Sequence, residues 1–186
     1  MTPFEYLSVL ISIILGLGLT HLLSAVRELI QKRAQVRFYW LALVWAALIF
    51  TTQVQWWWGV YELRGRAGWN FFSFLFLLLA PVSMYLTAGM VLPDIEGDER
   101  CDLKTYYYHN HRWIFGLTAA SNLLDTARAY AATRTVADPK VWTNLLGVAL
   151  CLSLALIRSE RYHVAATLLL TALFLSFIIM ARLNIV

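Results

Sequence analysis

Asp125 and Arg128 stand three residues apart inside the apolar stretch Trp113–Ala132. On a helix that spacing places them on one face. There a carboxylate and a guanidinium pair, gate a path, or contact a charged solute. His21, in Thr20-His21-Leu22-Leu23, is the deepest of the four histidines, and an imidazole there can relay a proton near neutral pH. Gln53 and Asn122 place amides inside two further apolar stretches. Polar groups are expensive in lipid and usually mark a functional position. Thr20, His21, Gln53, Asn122, Asp125 and Arg128 are therefore the candidate pathway or ligand residues. Gln55, Asn70, Asn144 and Arg182 are polar residues in the same stretches.

Other chemistry finds little footing. His109 and His111 are two apart, so a helix points them to different faces. No Cys or carboxylate flanks them, or His163, at a metal-ligand spacing. These three read as interfacial histidines, and neither metal nor haem is expected. The chain has no Gly-rich phosphate loop, nucleophile elbow or HExxH. No cofactor and no enzymatic activity are expected. Cys101 lies in a polar loop and Cys151 in an apolar run, which argues against a disulfide.

Six apolar runs must hold these groups: Phe4–Val26, Phe38–Tyr61, Trp69–Leu92, Trp113–Ala132, Val141–Ile157 and Val164–Ala181. Runs of about 20 apolar residues match the hydrocarbon thickness of a bilayer. Hydrophobic residues make up 60% of the 186, and charged residues 14%, against about 25% in ordinary soluble domains. The expected fold is an all-α integral membrane bundle of six transmembrane helices. It forms one polytopic domain over 1–186, with both termini on one side. The first run has no basic leader, since its early charge is Glu5, and reads as a retained helix. The net charge of +4 sits at helix ends, as headgroup anchors do, and does not indicate nucleic acid.

Small residues recur every fourth position in the first run, at Ser8, Ser12, Gly16, Thr20 and Ser24, and in the fifth, at Thr143, Gly147, Cys151 and Ala155. Such faces let another backbone approach closely. They predict helix packing within or between subunits, and hence a homo-oligomer. Pro81 removes a hydrogen bond from the middle of the third run and predicts a kink, with Ser83 or a neighbouring helix serving the freed carbonyl. Ser121-Asn122-Leu123-Leu124-Asp125-Thr126-Ala127-Arg128 parallels Thr20-His21-Leu22-Leu23-Ser24-Ala25-Val26-Arg27. Segments 1–93 and 105–186 would then be inverted three-helix repeats, frequent in transporters.

Of the 15 Lys and Arg, nine fall on the side holding Arg27–Arg37, Asp94–Lys104 and Arg158–Arg161. Positive residues favour the cytoplasm, so that side is expected to be cytoplasmic. Aromatic belts are expected at Phe38, Tyr39, Trp40, Tyr106, Tyr107, Tyr108, Trp113 and Tyr162 on that side, and at Trp56, Trp57, Trp58, Trp69, Tyr130 and Trp142 on the other. The opening Met1–Tyr6, followed by Gly16, Gly18 and His21, resembles small bacterial inner-membrane proteins, which implies that location and no activity. The leading functional expectation is a homo-oligomeric channel or transporter for a small solute or ion. The alternative is a non-transporting module: an accessory subunit, or a binder of lipid, quinone or haem.

Overall fold

The computed structural model describes residues 3–65, 69–95, 100–136 and 139–183. Arg66, Glu96, Asp98, Glu99 and Asp138 lie outside the described residues, as does the side chain of Arg182. The described chain is all-helical: α1 (Pro3–Gln31), α2 (Trp40–Val60), α3 (Phe71–Val91), α4 (Leu103–Thr133), α5 (Pro139–Leu156) and α6 (Glu160–Leu183). A short 3-10 turn, Tyr61–Gly65, follows α2. Two helices are long and apolar enough to cross a membrane, Phe4–Gln31 and Phe71–Val91, with mean hydropathy 2.2 and 2.0.

Local chemistry sets the helix ends. Asn70 caps α3 reciprocally: its side chain accepts from Ser73 N at 2.8 Å, and Ser73 Oγ accepts from Asn70 N at 3.1 Å. This capping box satisfies two otherwise orphaned groups. Asp102 caps α4 by accepting from Lys104 N at 2.9 Å and Thr105 N at 3.4 Å. That cap starts α4 at Leu103, well ahead of the apolar run at Trp113. Arg134 ends α4 in the left-handed region at φ 55°. Pro139 opens α5, where its missing N–H is harmless.

The buried face of α1 is Leu7, Ile11, Leu15, Gly18, Leu22, Ala25 and Leu29. From Ile11 onward the spacing alternates four and three, the seam of a helix packed lengthwise on its neighbours. The seam serves two cores. Ile11 and Leu15 pack with Trp56, Val60, Leu77, Ala80 and Met84. Leu22, Ala25 and Leu29 join a larger core with Trp45, Ala88, Tyr107, Phe115 and Leu154.

The first, third and fifth connections meet at one end of the bundle. Val36 and Arg37 form a two-residue strand, β1, parallel to Cys101 and Asp102, β2, in the register Val36↔Cys101 and Arg37↔Asp102. Arg37 lies 3.4 Å from the Asp102 carboxylate. Glu28 accepts from Ile95 N at 3.4 Å, and Lys32 donates to Ile95 O at 2.5 Å. Lys104 pairs with Glu160 at 2.8 Å. The opposite end gathers Phe4, Leu63, Trp69 and Leu124 around Trp56.

The two halves pack differently. The broadest interface of α4 is with α5, whereas α1 packs mainly on α3. The inverted repeat therefore has its support in sequence alone. Pro81 sits inside an unbroken α3. Ser83 does not serve the freed Leu77 carbonyl. It donates to Ala80 O at 2.8 Å and shares a 2.6 Å bond with Ser121 of α4.

Candidate functional site

The sequence-derived candidates fall into separate contacts, not one lining. Asp125 accepts from the Trp56 indole at 3.0 Å and from Arg128 Nε at 3.2 Å. A carboxylate with two N–H donors is well compensated where it is only partly exposed. Asn122 donates to Thr118 O at 2.8 Å, and its Oδ1 faces Gly147 of α5. A Cβ on Gly147 would approach that oxygen to 3.0 Å. The fifth helix thus spends its small face inside the chain, with Cys151 and Ala155 buried and Thr143 exposed.

Gln53 is 0% exposed, although it lies in a helix of Trp and aliphatic residues. Its Nε2 donates to Met84 O at 3.4 Å, while its Oε1 rests on Gly18 of α1. A Cβ on Gly18 would lie 2.7 Å from that oxygen. The missing Cβ of Gly18 thus leaves the room that the amide occupies, and its Cα–H faces the oxygen in a weak contact common where helices approach closely. Gln53 Oε1 and His21 Nε2 are buried without a hydrogen-bond partner among the described residues. His21 is half-buried one turn beyond Gly18, and Thr20 faces outward. The remaining small residues of α1 flank its seam: Ser8, Gly16 and Ser24 are half-buried, and Ser12 and Thr20 exposed. Ser12 accepts from the Trp57 indole at 3.0 Å. A Cβ on Gly16 would meet nothing within 4 Å among the described residues.

The densest polar cluster lies at the connection-rich end, and there the belt reading needs correction. Tyr39, Tyr107 and Tyr108 are buried, as are His111 and His163. These residues do not float at an interface; they pack on one another. His163 is 0% exposed. Its Nδ1 lies 2.9 Å from the Tyr107 hydroxyl, and its Nε2 lies 2.7 Å from Ile157 O, just past α5. The His111 ring stands 5.9 Å from it, with Nδ1 2.7 Å from Tyr108 O. Tyr39 and Tyr108 share a 3.3 Å hydroxyl contact. Trp45 stacks edge-on against Phe115 and donates to Thr167 of α6 at 2.9 Å. His109, on the other face of α4, is exposed. Trp56, assigned to the opposite belt, is also buried, whereas Trp57, Trp58, Trp113 and Trp142 are exposed as belt residues are.

Beside this cluster a surface cleft of about 560 Å³ is lined by Asp94, Arg100, Cys101, Asp102, Tyr106 and His109, among others. Partial burial opposes ionisation of Asp102. The amides of Lys104 and Thr105, with Arg37, outweigh it and hold the carboxyl below the usual carboxylate range. Burial, with Asp102 adjacent, pushes the Cys101 thiol up, so it is not an activated nucleophile. Among the described residues no three His, Cys, Asp or Glu side chains are placed to hold a metal. The chain matches no protein-family model, no curated protein and no solved structure.

Proposed function

We propose that the protein is a six-span integral membrane protein of the bacterial inner membrane, working as a packed, non-transporting module, such as an accessory or scaffold subunit. The outward surface supports lipid as solvent. Leu17, Leu23, Phe72, Leu168 and Ile179 are each more than half exposed, on three different helices. A soluble monomer does not present apolar surface on that scale. The connections at the β1–β2 end, where Lys and Arg are more numerous, face the cytoplasm in this reading.

One observation carries the non-transporting reading: four pairs of side chains inside the bundle bond to one another across helices. Ser83 meets Ser121, Trp45 meets Thr167, Trp56 meets Asp125, and Tyr107 meets His163. These bonds hold facing helices together at the depths where a conduit through one copy would need open polar walls. The outer face of α1 favours a second reading, a homo-oligomeric channel or carrier with its path between copies. Exposed hydroxyls there flank the open Gly16.

Purified protein in sealed vesicles separates the two. The module predicts ion and small-solute leakage equal to that of empty vesicles. Flux that rises with protein content and is lost in Gly16→Leu would replace it with the second reading. Topology has its own test. Cysteines at 38 and 101 should label from one face of the membrane, and a cysteine at 61 from the other.

A further inference from the structure

We infer that Tyr107, His111 and His163 form a pH-sensitive latch that ties α4 to the junction of α5 and α6 and releases on protonation. The hydrogen bonds fix the tautomer. A carbonyl only accepts, so the 2.7 Å contact with Ile157 O requires a proton on His163 Nε2. Nδ1 is then a bare lone pair, which accepts from the Tyr107 hydroxyl at 2.9 Å. One imidazole thus joins α4 to the start of α6 and the end of α5.

A second proton can enter only at Nδ1. It removes the acceptor that Tyr107 uses and turns that hydroxyl toward aromatic rings. It also places a cation on a side chain that is 0% exposed, where burial opposes charge. His111 packs beside it: its Nδ1–H donates to Tyr108 O, and its ring is 5.9 Å from that of His163.

The groups around the pair do not neutralise such charge. From α4 the His163 ring faces Tyr107 and Tyr108, and Tyr39, ahead of α2, packs on those two tyrosines. Phe115 packs edge-on to the His163 ring, and Trp45 and Thr167, bonded to each other, are buried neutral groups. Glu160, the carboxylate at this end of α6, is exposed and taken by Lys104, whose ammonium also lies 5.7 Å from the Tyr39 ring centroid. Arg158 and Arg161 point to solvent, and Tyr162 donates to Ser153 at 2.6 Å.

His163 precedes the sixth apolar run. Burial holds its imidazole below the ordinary range, the Ile157 carbonyl works the other way, and His111 adds repulsion. The sign follows. The released state binds more protons, so the latched state loses ground as pH falls below the free histidine value of about 6.5. One proton per released His163 makes the shift at most about tenfold per pH unit.

Hydrogen exchange of residues 157–167, in the full chain in lipid nanodiscs, reads the latch. After correction for intrinsic rates, protection relative to residues 77–88 should fall about fivefold between pH 6.5 and 5.5. His163→Gln keeps a donor and an acceptor but cannot titrate, so its profile should be flat. A flat profile in the wild type, or an unchanged slope in His163→Gln, overturns the latch. Should that variant fail to fold, nitrogen-15 spectra of the wild-type histidines decide. Protonation of Nδ1 in step with lost protection supports the latch, and either event without the other overturns it.

Discussion

Gly16 and Gly18 are two residues apart, and the same substitution should act oppositely at each. A Cβ at position 18 would lie 2.7 Å from Gln53 Oε1, 3.3 Å from its carbon Cδ and 3.3 Å from Nε2. At position 16 it meets nothing within 4 Å. Replacing a helical glycine with alanine favours the helix by about 1 kcal/mol. Gly16→Ala should show that gain or a neutral result. Gly18→Ala adds overpacking of about 2 kcal/mol. Gln53 ends a flexible side chain, but it is 0% exposed and has no solvent to move into. Displacing it also strains its 3.4 Å bond to Met84 O, a further loss of about 0.5 kcal/mol. The net loss is about 1.5 kcal/mol by these terms. In a Gln53→Ala background the obstacle is gone, and Gly18→Ala should regain about 1 kcal/mol. The double-mutant cycle therefore carries a coupling of about 2.5 kcal/mol. Unfolding in mixed micelles, followed by tryptophan fluorescence, measures all four corners. Additivity within about 0.5 kcal/mol, or a Gly18→Ala protein as stable as Gly16→Ala, would refute the close approach of α2 to α1.

Three further outcomes are expected. Asp125→Asn should destabilise by about 1–2 kcal/mol, and combining it with Arg128→Gln should cost less than the sum of the two; an additive cycle removes the pairing. A charge swap at these positions should recover stability only with Trp56→Phe, because the indole N–H would otherwise face a guanidinium. Gly16→Leu should reduce the subunit count in mild detergent if α1 carries the contact between copies; an unchanged oligomer excludes that face. His21→Gln keeps a polar group of similar reach, so a packing role predicts stability within about 0.5 kcal/mol of wild type; a larger loss of stability in micelles would show that the imidazole itself is needed.

Much of the helical frame is legible in the residue string, because continuous apolar runs and the Pro139 start are local signals. The Asp125–Arg128 pair is legible for the same reason, since helical spacing alone brings them together. The role of Gly18 is not. Both glycines fit a small-residue pattern, and the discriminating signal is the four-three spacing of Ile11, Leu15, Leu22, Ala25 and Leu29, with Gly18 in phase and Gly16 out of it. By composition alone the Tyr39–Tyr107–Tyr108–His111–His163 cluster reads as an aromatic belt with interfacial histidines, since rings at a bilayer boundary and rings packed together have the same composition. Asp102 held the missing clue. A capping residue ahead of Leu103 places Tyr107 and His111 on one face of a continuous helix, one turn apart, and leaves His109 on another.

The pairing of Val36–Arg37 with Cys101–Asp102 also imposes an order on synthesis. Arg37 and Asp102 are separated by 65 positions, so the first connection emerges from the ribosome long before its partner exists. Until then α2 and α3 form a hairpin whose base is open, and Ile95 has yet to reach Glu28 and Lys32. The clasp closes only when the chain has come back to the same end of the bundle and begun α4. A chain ending before Cys101 therefore lacks the partner strand of Val36–Arg37 and leaves that end of the bundle unclasped.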